Sequence, residues 1–274
     1  MFSATTSAFA QESGRQGADR VNIDCSITKF DAAIRYQQSS AEVNALQYQA
    51  YNFATLRVDE AVEGIADPSS LAVVLDLDET VIDNTPLLVR DLRNCHRYDH
   101  WDTWRHWERE GHPSLISGAK AFLEHANETG IAIRYISDRT DDQLESTLAT
   151  LNELKLPQVS AENVLLLGPS KPERRDFVSR NHEIVLLLGD TLHDFDMLFE
   201  IDSLTQRREV VAENRKQFGE KWIIFPNAAY GDWNESELDG WDAEPMFEDY
   251  ETRRGVPAGI EHPCGRALTL VPTK

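Results

Sequence analysis

From residue 71 onward the chain alternates short, nearly continuous apolar runs with longer stretches of helical periodicity. The apolar runs are Leu71–Leu75, 131–136, Val164–Leu167, 184–188 and 222–225. Each is too short for a globular helix and lacks the polar alternation of a half-exposed strand, which is the pattern of strands covered on both faces. Between them lie helical stretches at 117–128, 141–154, 172–181 and 194–218, the last broken. Strand and helix in turn predict an α/β fold, a Rossmann-like parallel sheet with helices on both faces and right-handed crossovers.

The flanks read differently. Residues 1–24 are polar, with Gly and Ser. Ser39-Ser40-Ala41-Glu42 offers a capping box with Ser39 as N-cap. Val43, Leu46, Ala50, Phe53 and Leu56 then recur at helical spacing, predicting one buried face of a helix that ends before Gly64 and Asp67-Pro68. The segment 81–130 is longer than one crossover helix requires. It carries Trp101, Trp104 and Trp107 beside His100 and His106, an aromatic stripe read as packing core. Residues 236–274 have weak periodicity and read as an irregular covering segment.

Charge narrows the function. A net charge of −20 over 274 residues argues against a nucleic-acid polymer or an anionic membrane as partner. No apolar run is long enough for a transmembrane segment. Cys25, Cys95 and Cys264 lack metal or thioredoxin spacing, leaving open one disulfide with a free thiol or three buried thiols. Ser7-Ala8-Phe9-Ala10 reads either as the end of a truncated secretory signal or as a disordered tail. No cysteine stands in a lipid-attachment context.

The strand exits carry the chemistry. After the first run come Asp76, Asp78 and Thr80; after the second, Ser137; after the third, Lys171; after the fourth, Gly189-Asp190 and Asp194. A doubly wound sheet gathers such exits along one edge, where ligands bind. Paired carboxylates, a hydroxyl, an ammonium and two further carboxylates suit phosphoryl transfer through an aspartyl-phosphate. One carboxylate is nucleophile, a second moves protons, and a hard cation such as Mg²⁺ shields the anionic substrate.

At these residues the chain resembles the haloacid dehalogenase (HAD) superfamily, and more narrowly the subfamily IIIB class C acid phosphatases, which include outer-membrane lipoprotein 5′-nucleotidases. The motifs are Asp76-Leu77-Asp78-Glu79-Thr80, Ile82-Asp83-Asn84-Thr85-Pro86, Trp101-x-x-Trp104, Asp190-x-Leu192-x-Asp194-Phe195 and Pro226–Trp233, with Ser137 and Lys171. The resemblance implies a HAD core over 67–235 with an insertion about 84–115. A smaller helical lobe would come from 26–66, the insertion and the C-terminal segment. It implies Asp76 as nucleophile and Asp78 as general acid/base. Ser137, Lys171 and Thr80 would lie on the phosphate side, and Mg²⁺ would be held by Asp76, Asp78 (through its carbonyl), Asp190 and Asp194. The expected activity is a Mg²⁺-dependent acid phosphatase on small phosphomonoesters, nucleoside 5′-monophosphates among them, with Tyr230 as an aromatic platform. Periplasmic or secreted location and a homodimer are further implications. Asp138 stands where many members carry Asn, and Leu87 where an aromatic is frequent. The alternatives are a non-catalytic surface or periplasmic binding protein on the same scaffold, or a HAD sugar phosphatase or phosphotransferase.

Overall fold

In the computed structural model the described residues are 25–97, 101–234 and 236–238. The polar N-terminal stretch, Cys264 and nearly all of the C-terminal covering segment lie outside them. The first apolar run is β1 (Leu71–Leu75), buried at all five positions. It is flanked by β4 (Ala132–Thr140) and β6 (Glu183–Gly189), with β5 (Val164–Leu167) and β7 (Trp222–Ile224) at the edges. All four pairings are parallel, in the order β5-β4-β1-β6-β7, with Leu75 opposite Tyr135 on one side and Leu188 on the other. From β1 the chain adds strands on one side and then returns to place β6 on the other. The switch point is therefore at the C-terminal end of β1.

Side chains alternate across a strand, so β1 feeds two cores. Leu71, Val73 and Leu75 pack with α2 (Ala41–Val62), α5 (Ala119–Thr129) and α6 (Leu144–Glu153) through Ala54, Val58, Phe122, Leu123 and Leu151. Ala72 and Val74 face the opposite cluster, with Val178 of α7 (Lys171–Ser179), Phe195, Phe199 and Trp222. Truncating a fully buried Leu75 to alanine in such a core costs about 2–5 kcal/mol.

The hairpin-like pair β2 (Ile82–Asp83) and β3 (Ser114–Leu115) is antiparallel, Ile82 opposite Leu115. It pinches at its root the segment holding α3 (Thr85–Arg93) and α4 (Trp104–Glu110). A third core joins that segment to the start of the described chain: Ile27, Phe30 and Ile34, the last in α1 (Asp31–Ser39), pack with Leu87, Leu88 and Trp104. Cys25 and Cys95 form a disulfide across the same contact.

Three local expectations are corrected. Ser39 closes α1, and the N-cap of α2 is Ser40, whose hydroxyl accepts from the Val43 N–H. The buried face of α2 is Val43, Gln47, Ala50, Tyr51, Ala54 and Val58, while Leu46, Phe53 and Leu56 are 41%, 42% and 55% exposed. Close packing on α5 and the sheet favours small residues and one long polar-tipped ring, so the bulkier stripe is turned outward. In the tryptophan stripe only Trp104 is fully buried; Trp101 lies outside α4 and is exposed.

The disulfide closes a loop with a sequence separation of 70. By loop entropy it stabilises the folded chain by about 4 kcal/mol, of which about 2–4 kcal/mol is typically realised. Cys25→Ser is expected to lower unfolding free energy by that amount in a denaturant titration, with the strands of the core still formed.

Candidate active site

The turn after β1 is built to hold its acids. Asp76 continues the sheet ladder, its N–H donating to the Leu188 carbonyl at 2.9 Å. Leu77 is fully buried, and its carbonyl accepts from both Val81 (2.8 Å) and Ile82 (2.9 Å), closing a tight loop. Glu79 takes the left-handed conformation at φ 58° within it. The Tyr51 hydroxyl, reaching from α2, donates to the Thr80 carbonyl at 2.6 Å. Thr80 itself is fully buried, and its hydroxyl has no partner among the described residues.

Lys171 comes to this turn from 95 residues away. Ser170 and Glu173 form a reciprocal capping box with Pro172 in the first turn, so α7 starts at Lys171 and aims it along the sheet edge. Its ammonium lies 2.8 Å from Asp76 Oδ1, 2.5 Å from Asp194 Oδ1 and 3.5 Å from Asp138 Oδ2. Burial works against the charge, but Asp194, Asp76 and Asp138 outweigh it and hold the ammonium well above its usual range. Asp194 is fixed in turn by Thr191, whose N–H and hydroxyl both donate to its Oδ2 at 2.9 Å. A Cβ on Gly189 would fall 2.3 Å from that carboxylate, so the glycine at the end of β6 is what admits it. Asp190 accepts from the Asn227 amide at 2.8 Å.

Burial first, then the charges of Asp194, Asp190 and Asp78, push Asp76 well above the carboxylate range against the pull of Lys171. Burial and Asp194 do the same to Asp190. So many buried acids beside one ammonium cannot all stay ionised without a further cation. Among the described residues no three Asp, Glu, His or Cys side chains already stand as a metal-holding group. The donors present are nonetheless carboxylates and carbonyls, which suit a hard divalent cation.

Asp78 has a different environment. Arg139, buried beneath it, donates from Nη2 to Oδ1 at 2.8 Å and from Nε to both oxygens at 3.2 Å. Asn84 donates to Oδ1 at 2.9 Å and the Ser137 hydroxyl to Oδ2 at 3.2 Å. Burial would raise this acid, but Arg139, Asn84 and Ser137 prevail and lower it. Ser137 thus sits on Asp78, and its carbonyl accepts from Arg174 at 2.5 Å. Arg174 also donates to Asp138 Oδ1 at 2.7 Å, so Asp138 has a cation on each oxygen.

The sequence assigns no role to Arg139, Arg174, Asn84 or Glu79, all four of which the structure brings to this site. Asn84 and Glu79 stand inside the motifs that carry the family resemblance, among other polar residues, so polarity alone does not single them out. Nothing local marks Arg174, whose distant partners lie on β4 and β5. Tyr230 is half-buried; its hydroxyl donates to Glu79 and its ring meets Trp101 and Trp104 edge-on at 5.7 and 5.5 Å.

A model of the HAD superfamily, subfamily IIIB (acid phosphatase), matches residues 6–233. The chain belongs to this family. The HAD fold is shared with solved relatives: a class C acid phosphatase from Bacillus anthracis with tungstate bound is 34% identical, at TM-score 0.73. A second structure of the class C acid phosphatase from that organism is 32% identical, at 0.71. Each match covers 86% of this chain and 99% of the other. Family and neighbours together make this HAD protein a phosphomonoesterase of the acid phosphatase type, which sets aside a purely non-catalytic scaffold. The superfamily generally uses a divalent metal.

Burial and the Asp78 charge raise Glu79 from 4.5 to about 8, against hydrogen bonds from Tyr230 and Asn84. An acid raised on folding stabilises most at low pH, and that stabilisation is lost as pH climbs from its unfolded value through its folded one. In chelator, the melting temperature is expected to fall between about pH 4.5 and 8. Glu79→Gln should make that slope shallower without abolishing it, since Asp76 and Asp190 are raised as well; an unchanged slope would remove Glu79 as a source.

Proposed function

We propose that this enzyme hydrolyses small phosphomonoesters in two steps through a phosphorylated Asp76. The reading is carried by Asp76 and Lys171 meeting at 2.8 Å from distant parts of the chain. Lys171 engages Oδ1, so Oδ2 is the oxygen left to attack phosphorus. The bond from phosphorus to the leaving oxygen breaks as Asp78 passes that oxygen a proton. Asp78 then takes a proton from water, the water oxygen bonds to phosphorus, the Asp76–phosphorus link breaks, and inorganic phosphate leaves. Lys171 and Ser137 hold phosphoryl oxygens. Thr80, sealed under Tyr51, serves the loop and not the phosphate.

Mg²⁺ is the cation that suits the donor set, with Asp76, Asp190 and the Asp78 carbonyl as ligands and Asp194 close by. When bound, it supplies positive charge between nucleophile and substrate and keeps the acids ionised. Nucleoside 5′-monophosphates are one substrate class, the exposed Trp101 and the half-buried Tyr230 ring offering aromatic surface, with the Tyr230 hydroxyl on Glu79. Sugar phosphates are the alternative. Location outside the cytoplasm is supported by the Cys25–Cys95 disulfide, a bond that persists in oxidising compartments. Assembly as a homodimer is part of the same reading.

Release of nitrophenol from p-nitrophenyl phosphate is expected with added Mg²⁺ and not in chelator. Asp76→Asn should lower kcat roughly a thousandfold or more. Full activity in that variant would sink the covalent mechanism. Because Arg139 keeps Asp78 low, its protonated form is populated only in acid, so kcat/KM for an alkyl phosphate, whose leaving group needs a proton, should fall as pH rises from acid toward neutrality. A rate climbing steadily through pH 8 would contradict this.

A further inference from the structure

Asn84 and Trp107 take no part in the steps above, yet they meet at Asp78. The Trp107 ring, from α4, lies against the backbone of Gly111, where a Cβ would fall 2.3 Å from ring carbon Cε3. Its indole N–H donates to Asn84 Oδ1 at 2.8 Å. An indole nitrogen can only donate, so the Asn84 amide oxygen must face the ring and its NH₂ must turn the other way. There the NH₂ reaches Asp78 Oδ1 at 2.9 Å, with a longer contact to Glu79 Oε2 at 3.4 Å. Asn84 is fully buried, and its own N–H donates to Glu79 Oε1 at 3.0 Å, so it has one available placement.

The two oxygens of Asp78 are consequently unequal. Oδ1 accepts bonds of 2.8 and 2.9 Å from Arg139 and Asn84. Oδ2 has only contacts of 3.2 Å, from Ser137 and Arg139. A proton resides on the oxygen with the weaker set of donors, because a protonated oxygen gives up acceptor strength there.

We propose that Trp107, acting through the Asn84 amide, is a positioning residue that loads Asp78 Oδ1 with donors and reserves Oδ2 for the proton given to the leaving group. Neither side chain touches the reacting atoms. The effect passes from the pinched-off helical segment to the sheet edge, so seating of α4 sets the aim of the acid. The inference rests on Asp78 being the general acid, as proposed above.

The test compares kcat/KM for two esters in Trp107→Phe, which keeps a ring and removes the donor, and in Asn84→Ala. p-Nitrophenyl phosphate has a leaving group that departs without a proton; glycerol phosphate has an alkoxide that needs one. On the alkyl ester each variant should lose roughly tenfold, and on the nitrophenyl ester less than about threefold. The double variant should be no worse than Asn84→Ala alone, since both act on one chain of contacts. Equal losses on both esters, no loss, or multiplying losses would overturn the proposal. Asp78→Asn separates the two layers. If it shows no preference for the nitrophenyl ester, the general-acid reading falls and takes this one with it. If it does while the Trp107 and Asn84 variants do not, only the positioning role falls. Should Trp107→Phe fail to give a cooperative melt, Asn84→Ser read on the same two esters decides.

Discussion

One ammonium held among three carboxylates, Asp76, Asp138 and Asp194, is the contact on which the rest of the sheet edge depends. It joins the exits of β1 and β6 and the C-terminal part of β4 to the first residue of α7. Each partner needs its own support: a capping box to start α7 at Lys171, a glycine at the end of β6 to admit Asp194, and Arg174 to keep Asp138 turned. Losing the capping box or the glycine would leave Lys171 or Asp194 as a buried charge without its counterpart, which is far more costly than losing a pair with the exposed Asp138.

Two acids separated by a single residue are thereby driven in opposite directions. Asp76 is crowded by other carboxylates and raised; Asp78 is wrapped by donors and lowered. Pairs of titratable groups split in this way are how an enzyme assigns different tasks to identical side chains. The split arises from neighbours and not from depth, since both acids are largely withdrawn from solvent.

Much of this was legible in the chain itself, for reasons that differ by element. The apolar runs Leu71–Leu75 and Val164–Leu167 coincide with their strands to the residue because strands covered on both faces leave an unbroken apolar run. The acids, Ser137 and Lys171 could be found because strand exits in a doubly wound sheet converge. On α2 the period is visible and Val43 and Ala50 are buried as expected, but Leu46, Phe53 and Leu56 outweigh Gln47, Tyr51 and Ala54 in hydrophobicity while it is the latter that pack inward. Arg139, which follows Ser137 and Asp138 at the end of the second run, and Arg174 are assigned no role by the sequence, because a buried guanidinium is defined by carbonyls and carboxylates distant in sequence. The partner of Cys25 was likewise undetermined until α1 and α3 were seen side by side.

The Cys25–Cys95 bond also bears on how the molecule withstands attack. Between its two ends the chain passes through an exposed turn, Glu63 to Asp67, immediately before the central strand. A protease cutting there would sever the backbone yet release nothing. The liberated α1 and α2 would stay tethered to the remainder and packed on α5, so a nicked enzyme would keep its shape until a reductant arrived.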